Sequence, residues 1–534
     1  MRVPRISRTR YAAVGLVLAT AGALALPAGT AVAAPTGDST TGPLLSYVVN
    51  TKANHGQVQK VEKAVTALGG TVVQSYDQVG VIVARSNDTK FAEKLRLAKG
   101  VDSVGASRTK GILAADQTKA EVAAEPTGAA AAANGQEPYE PNQWDMRQIG
   151  VDKAHKISLG SRNVTVGVLD SGIDATHEDL AANVDASQSV SCIDGRTNTD
   201  WKAWQPTTSD HGTHVAGTIA AAKNGKGIVG IAPNVKLAAV KVVDDGGFIY
   251  PENAVCGFVW AGEHGFKVTN NSYYVDPWMF NCPNDKDQAA ISDAVRKAVA
   301  FSQRKGVLNV AAAGNENIDL AHKTTDVSSP DDTKPGTRPV SNDCLSLPTE
   351  LPGVIAVSAV GVNGDKSYYS SYGKGVVTVA APGGDARYQI PDTPDKNGRI
   401  LSTIPGNKYG YMQGTSMATP HVTGVVALLA STFPWASPDE LTELLTNQAE
   451  SHACPTGVYN PGNTGQFKAT CEGGEDDNGF YGAGIINAEH WVVGWGCRAH
   501  PRALNPARGP PTAGGGGGPR PPPPQRRSGP AAEP

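Results

Sequence analysis

The chain lacks three features that mark other classes of protein. No apolar run reaches the roughly 20 residues of a permanent membrane helix. No cysteine precedes Cys192, and no CxxC spacing or Cys/His cluster indicates a zinc site. The formal net charge of the chain is −3. Both ends of the chain are basic, so residues 141–496 carry a net negative charge. We therefore expect no membrane partner and no nucleic-acid partner, and a mild preference for cationic peptides.

The first 33 residues have the three parts of a secretory signal peptide. Arginines fill the start, an apolar stretch covers residues 11–26, and residues 31–33 form an Ala-Val-Ala cleavage signal. The pattern predicts a signal peptide at 1–33 that is removed after Ala33, and hence a secreted, extracellular protein. A retained membrane anchor is the alternative interpretation.

Residues 45–107 alternate between strand and helix patterns. The predicted elements are strand 45–49, helix 56–68, strands 71–76 and 79–84, helix 87–97 and strand 101–105. This βαββαβ order defines a small α+β unit. Residues 108–140 are rich in alanine and lack any core pattern, which predicts an exposed linker.

Four short segments carry the groups of a serine hydrolase. VGVLDSGID contains Asp170, DHGTHVAGT contains His211, NVAAAGNEN contains Asn315 and GTSMATPHVTG contains Ser416. A serine hydroxyl is a weak nucleophile and needs a base, which an imidazole supplies. A buried carboxylate such as Asp170 fixes the tautomer of that imidazole and stabilises its cation. The side-chain amide of Asn315 and the backbone N–H of Ser416 are suitable donors to an oxyanion.

The local sequence pattern supports these roles. Residues 164–169 are apolar and β-branched, which predicts a buried parallel strand with Asp170 at its carboxyl end. Open α/β sheets place their active sites at such ends. Helix patterns at 213–222 and 416–430 begin beside the histidine and serine candidates. Two further histidines in these helices are expected to be structural: His214 and His421.

The strings DSGID, HGTHVAGT, AAAGNEN and GTSMATPHVTG resemble the signatures of the subtilisin-like serine peptidases, the subtilase family. The resemblance implies that Asp170, His211 and Ser416 form the catalytic triad and that Asn315 is the oxyanion donor. It implies an α/β fold with a doubly wound, mainly parallel sheet over residues 141–490. It also implies that residues 45–107 are an inhibitory propeptide acting on its own chain, with maturation cleavage within 108–140; an unrelated accessory domain is the alternative.

The same resemblance suggests which residues bind substrate. The implied walls of the pocket for P1, the residue whose carbonyl is attacked, are Ser272, Tyr273, Tyr274, Ala312, Ala313 and Gly314. The family usually has Ser-Leu-Gly where this chain has Ser-Tyr-Tyr, so Tyr274 replaces a glycine that lets the substrate backbone pass closely. Glu316, near the pocket mouth, either attracts basic P1 side chains or is simply solvated.

No cofactor is required for the predicted chemistry, but a structural calcium ion is one interpretation of the family resemblance. Asp179 and Asn224 stand at positions that resemble the high-affinity calcium site of subtilisins, which uses hard oxygen ligands. Lys223 and Lys226 bring two positive charges into the same loop. The alternative is an ordinary surface turn.

Six of the seven cysteines lie in the predicted peptidase domain, which allows fifteen pairings, and sequence alone does not choose among them. The preferred set is Cys282 with Cys344, Cys454 with Cys471 and Cys192 with Cys256. Cys497 opens a Gly-, Pro- and Arg-rich tail at 497–534 that cannot bury enough apolar surface to fold. The tail is either a flexible extension or a translation artefact.

The sequence therefore predicts a secreted serine endopeptidase, monomeric, that acts on proteins or peptides and matures by removing its own propeptide. Two alternatives differ in class. A non-catalytic binding protein on the same scaffold predicts loss of a catalytic residue, and none is lost. A narrow processing peptidase that removes one leader from one partner keeps the same catalytic residues, so only its cleavage profile distinguishes it.

Overall fold

The computed structural model describes residues 41–112 and 135–489. The predicted signal peptide at 1–33, most of the linker at 108–140, and the tail with Cys497 lie outside the described residues. Within the described ranges, no helix combines the length and apolar character needed to cross a membrane.

The N-terminal unit, residues 41–112, is a four-stranded sheet with two helices. Its elements are β1 (Thr41–Asn50), α1 (His55–Ala67), β2 (Thr71–Tyr76), β3 (Val81–Asp88), α2 (Phe91–Arg96) and β4 (Ser103–Ala106). The strand order is β2-β3-β1-β4, and every pairing is antiparallel. Helix α1 buries Val58, Val61 and Val65, which recur at helical spacing. The element order βαββαβ is the one that the sequence pattern predicts.

The larger part, residues 135–489, alternates strands and helices. Its helices are α3 (Trp144–Gln148), α4 (Val151–Ala154), α5 (His211–Ala220), α6 (Pro251–Glu263), α7 (Lys286–Arg304), α8 (Thr415–Thr432) and α9 (Pro438–Thr446). Its strands are β5 (Thr165–Asp170), β6 (Val190–Ser191), β7 (Lys236–Lys241), β8 (Val268–Asn271), β9 (Leu308–Ala312), β10 (Thr325–Asp326), β11 (Arg338–Pro339), β12 (Val354–Val360), β13 (Val379–Pro382), β14 (Ile400–Ile404) and β15 (Lys408–Met412).

Seven of these strands form one sheet in the order β13-β12-β9-β8-β5-β7-β6, and each neighbouring pair is parallel. Strands β5, β8, β9 and β12 are buried along their whole length, because helices and loops cover both faces. The predicted fold class, an α/β protein with a doubly wound, mainly parallel sheet, is confirmed.

The sheet order determines where the functional segments meet. Strands β9, β8 and β5 are neighbours and run in the same direction, so their carboxyl ends lie at one edge. Those strands end at Ala312, Asn271 and Asp170. Helix α8 is buried and packs against β8, β9 and α5, which brings its first turn to the same edge.

The N-terminal unit packs on helices α6 and α7. Val48, Val81 and Val83 belong to the same buried apolar cluster as residues of these helices. The Arg108 guanidinium pairs with the Glu252 carboxylate at 2.6 Å, and both side chains are almost fully buried. The predicted exposed linker is therefore wrong at its first residue, because Arg108 finds a buried partner far away in the chain.

Three disulfides form among the described residues, and they are the preferred set of the sequence analysis: Cys192 with Cys256, Cys282 with Cys344, and Cys454 with Cys471. The first anchors the loop after β6 to helix α6 beneath the N-terminal unit. Such crosslinks are typical of proteins that fold in oxidising compartments.

Candidate active site

His211 and Asp170 form a close pair at the carboxyl edge of the sheet. Asp170 ends β5 and is 1% exposed, and His211 is the first residue of α5. The Nδ1 atom of His211 lies 2.9 and 3.0 Å from the two carboxylate oxygens of Asp170. The next residue must be glycine, because a Cβ atom at Gly212 would come within 2.3 Å of the Gly172 carbonyl oxygen. This close approach allows the histidine to meet the strand end.

Ser416 lies in the first turn of α8 and is tied to the end of β8. Its Oγ donates to the backbone carbonyl of Ser272 at 3.1 Å, and the Ser272 hydroxyl donates to the Ser416 carbonyl at 2.9 Å. A hydroxyl carries one hydrogen, so general-base activation requires Ser416 Oγ to turn from the Ser272 carbonyl to the imidazole of His211.

The side chain of Asn315 is oriented by the residue before Ser416. Its Oδ1 accepts hydrogen bonds from the backbone N–H and the hydroxyl of Thr415, at 2.9 and 3.0 Å. Because the amide oxygen takes both donors, the amide nitrogen is left to donate elsewhere. Sequence analysis did not identify Thr415, although its place beside the nucleophile was a usable signal.

Two cavities meet at these residues. The first, about 270 Å³, is lined by Asn315, Ser416 and all six residues of the predicted substrate walls: Ser272, Tyr273, Tyr274, Ala312, Ala313 and Gly314. The second, about 220 Å³, is lined by Asp170 and His211 and shares Ser272 and Tyr273 with the first. The predicted catalytic and substrate residues thus surround one continuous region, while their individual roles stay predictions.

The first cavity is also lined by acidic residues that sequence analysis missed. The Tyr274 hydroxyl donates to Asp331 Oδ2 at 2.8 Å, so this side chain turns towards Asp331. Asp276 lines the same cavity and is 5% exposed. Glu316, noted from the sequence, directs Oε2 to the backbone N–H of Asn315 at 2.7 Å. No local motif marks Asp276 or Asp331, because loops separated in the chain bring them together.

The two remaining histidines of α5 and α8 are enclosed. His214 donates from Nε2 to the carbonyls of Ile400 and Gly410, both at 3.1 Å, and burial lowers its pKa to about 3. His421 contacts the Met417 carbonyl through Nδ1 and Asp145 through Nε2. These contacts agree with the structural roles expected from the sequence.

Asp179, a predicted calcium ligand, is enclosed, and its Oδ1 has no hydrogen-bond partner among the described residues. One of its carboxylate oxygens accepts hydrogen bonds from the Tyr409 hydroxyl at 2.9 Å and the Ile228 N–H at 3.1 Å. The amide oxygen of Asn224 accepts from the Lys226 N–H, and the Lys226 ammonium pairs with a nearby glutamate. Calcium needs oxygen ligands rather than hydrogen-bond donors. The calcium prediction at Asp179 and Asn224 stays untested. The hydrogen bonds from Tyr409, Ile228 and Lys226 count against it, because they occupy oxygen atoms that a calcium ion would need.

The parallel sheet, the paired histidine and carboxylate, and the serine at a helix start together form the candidate site, and comparison with known proteins identifies the family. The model of the subtilase family (Peptidase_S8) matches residues 161–484. Subtilisin DY of Bacillus licheniformis is 30% identical over 341 residues, covering 64% of this chain and 95% of its own. The chain belongs to the subtilase family of serine peptidases, whose members are serine endopeptidases.

Two further relatives cover more of this chain. Fervidolysin of Fervidobacterium pennivorans is 30% identical over 416 residues, covering 73% of this chain, which spans only about half (53%) of fervidolysin. The structure of an epidermin leader peptide processing serine protease of Staphylococcus aureus matches with a TM-score of 0.61 and 22% identity, covering 84% of this chain and 97% of its own. The second likeness concerns the fold alone.

Proposed function

We propose that the protein is a secreted serine endopeptidase that uses Ser416 as nucleophile, His211 as general base and Asp170 as the carboxylate that orients it. The observation that carries the proposal is the contact of His211 Nδ1 with a nearly inaccessible carboxylate at 2.9 Å, beside cavities that also reach Ser416. Secretion is supported by the N-terminal sequence pattern and by the disulfides.

In the proposed reaction, Ser416 Oγ attacks the substrate carbonyl carbon and His211 takes the hydroxyl proton. The oxyanion accepts hydrogen bonds from the amide nitrogen of Asn315 and the backbone N–H of Ser416. His211 then protonates the leaving amine, and water hydrolyses the acyl-enzyme by the same steps in reverse. Asp170 stabilises the imidazolium throughout.

The N-terminal unit is the proposed propeptide. Its contacts with α6 and α7 bury apolar surface, and the buried pair of Arg108 and Glu252 fixes the end of the unit. Thr109 N–H donates to the carboxylate of Asp332 at 2.8 Å, and the neighbouring residue Asp331 lines the first cavity. A segment held here reaches the edge of the active site, which suits an inhibitor removed by the enzyme's own cleavage.

Replacement of the nucleophile tests both activity and maturation. We expect Ser416→Ala to fold and to accumulate a chain that still carries residues 45–107, because the missing hydroxyl prevents self-cleavage. Gel analysis in a protease-deficient host measures this, with the exposed Ser187→Ala as matched control. A small amount of wild-type enzyme added in trans should process the variant if it is folded. Normal processing of Ser416→Ala on its own would reject self-maturation.

The narrow processing peptidase remains a second candidate, because Tyr274 and several carboxylates restrict the first cavity. It uses the same catalytic residues. A peptide-library cleavage profile separates the two: a general protease cuts many sequences, whereas a processing enzyme cuts after one residue type and context.

A further inference from the structure

The cavity beside the proposed nucleophile has an acidic floor that the proposed reaction does not use. Asp276 and Asp331 both line it, together with Ser416 and Asn315. Asp276 is 5% exposed, and one of its carboxylate oxygens accepts from the Ile249 N–H. In Asp331, Oδ2 accepts from Tyr274, whereas Oδ1 is buried and has no hydrogen-bond partner within the described residues.

The two carboxyl groups of this floor interact directly, because a protonated Asp276 donates a hydrogen bond to the Asp331 carboxylate. Burial and the neighbouring Asp331 raise the pKa of Asp276 well above its usual range, and burial raises the pKa of Asp331 as well. The other charges acting on the pair are the carboxylates of Asp244 and Asp332, which add to the repulsion. A buried carboxylate pair of this kind must hold a proton or meet a cation.

The nearby basic side chains are engaged elsewhere. The Lys323 ammonium pairs with Glu350, and the Arg338 guanidinium pairs with the carboxylate of Asp326 at 2.6 Å. The Arg108 guanidinium pairs with Glu252. Among the described residues, no group of three or more His, Cys, Asp or Glu side chains is placed to hold a metal ion. A cation brought by the substrate would replace the proton that the two carboxyl groups share and would pair with both of them.

We propose that this cavity is the P1 pocket and that Asp276 and Asp331 make it select lysine or arginine at P1. The inference rests on the proposed function, since the cavity opens at Ser416 and Asn315, where the P1 carbonyl must lie. Its walls include Met279, and apolar walls suit the aliphatic stem of a basic side chain. A leucine or phenylalanine in the same place would leave two carboxyls buried without a charged partner.

The test uses mature wild-type enzyme and fluorogenic peptides that differ only at P1: Arg, Lys, Leu, Phe and Glu. We expect kcat/KM to be at least about 100-fold higher for Arg or Lys than for Leu, because an uncharged side chain leaves the carboxyl pair without a partner. Asp331→Asn should lower kcat/KM for P1 Arg by about 10- to 100-fold and lower the ratio of kcat/KM for P1 Arg to that for P1 Leu. The exposed Asp343→Asn is the matched control.

Asp276→Asn should act in the same direction, and Asp331→Asn keeps the test valid if the more buried site does not tolerate change. A preference for P1 Leu or Phe in wild type, or an unchanged preference in Asp331→Asn, overturns the proposal. A calcium-dependent Tm that Asp331→Asn abolishes, with P1 preference unchanged, also overturns it and assigns the floor to a metal. A serine-directed fluorophosphonate distinguishes failure of the P1 inference from failure of the proposed function. Labelling of Ser416 without a preference for basic P1 residues rejects only the P1 inference. Absence of both labelling and cleavage rejects the proposed function.

Maturation gives a second measurement of the same specificity. The predicted cleavage range of 108–140 contains three basic residues: Arg108, Lys110 and Lys119. Arg108 pairs with Glu252 and Lys110 lies over the ring of Phe248, so we expect cleavage after Lys119. If the enzyme cleaves after basic residues and processes itself, the matured chain should begin at Ala120, as N-terminal sequencing would show. Lys119→Ala should slow maturation without changing cleavage of P1 Arg peptides by enzyme that has matured. A mature chain that begins after an acidic or apolar residue contradicts the inference.

Discussion

In residues 41–112 and 135–489, two of the histidine–aspartate pairs have the same separation and different surroundings. In both, a ring nitrogen lies 2.9 Å from a carboxylate oxygen. The His211 side chain is 31% exposed and lines a cavity, whereas His421 and its partner Asp145 are completely enclosed. Both ring nitrogens of His421 face acceptors, so this ring has no nitrogen with which to take a proton from a substrate or nucleophile.

The comparison shows that residue type and distance do not define a catalytic pair. The enclosed pair joins α3 to α8, because Asp145 lies in α3 and His421 in α8. Its role is to hold the helix that carries Ser416. The open pair joins a strand end to a helix start at the edge of the sheet, where a substrate can reach it. The open pair differs from the enclosed pair in two ways: a substrate can reach it, and its carboxylate stands at the end of a strand.

The largest expected effect breaks the open pair. Asp170→Asn keeps the shape of the side chain but removes the charge that stabilises the imidazolium and fixes its tautomer. We expect kcat to fall by about 10⁴-fold, with Tm changed by little. Steady-state kinetics and thermal unfolding of variant enzyme matured in trans by wild type, then separated from it, measure both quantities. A large loss of Tm with residual activity near that of wild type would assign Asp170 a structural role.

The next prediction breaks the enclosed pair. Asp145→Asn removes the buried carboxylate that His421 bonds, and leaving a buried polar group without its hydrogen-bond partner typically costs about 1–3 kcal/mol. We expect the free energy of unfolding to fall by about that amount, while kcat/KM of the folded fraction stays close to wild type. The exposed Asp152→Asn serves as control for the same region. Loss of kcat at full stability would show that the enclosed pair supports the reaction directly.

The sequence predicted both members of the open pair, but it did not predict the partner of His421 in the enclosed pair. Asp170, His211 and Ser416 each lie in a short, contiguous motif, and the end of a parallel strand is readable from a local apolar run. The partner of His421 is 276 residues away, and no local pattern connects the two. Sequence analysis could say only that His421 was expected to be structural.

The same limit explains the other missed features. The acidic floor of the cavity depends on Asp276 and Asp331, which come from separate loops. Arg108 was predicted to lie in an exposed linker, because its buried partner Glu252 is 144 residues away. The fold class of residues 141–490, by contrast, was implied by the resemblance of four local motifs to the subtilase family, and the βαββαβ order of the N-terminal unit followed from local apolar patterns. Long-range electrostatic contacts are the part that composition and periodicity do not encode.

The smallest expected effect concerns Asp179, another buried carboxylate, whose backbone N–H rather than its carboxylate bonds a histidine, at 3.1 Å to His177 Nδ1. Burial raises its pKa from 3.8 to about 6. A raised pKa means that the folded protein binds the proton more tightly than the unfolded chain does. The ionised form therefore destabilises the fold above about pH 4, and this cost grows until about pH 6 and is constant beyond it. The shift corresponds to at most about 3 kcal/mol.

Asp179→Asn removes that cost while keeping an oxygen for the donors of Tyr409 and Ile228. We expect the variant to be more stable than wild type by about 1 kcal/mol at pH 8, which is below the maximum because the new amide must also be accommodated. The gain should vanish at pH 4, and EDTA should leave the Tm of both proteins unchanged. Calcium binding at this site predicts instead that Asp179→Asn destabilises the protein and that EDTA lowers the Tm of wild type, because the ion would need the carboxylate charge that the substitution removes. Thermal unfolding at both pH values, with Ca²⁺ and with EDTA, therefore decides whether this carboxylate resembles the enclosed pair, with its partners inside the protein, or depends on a bound ion.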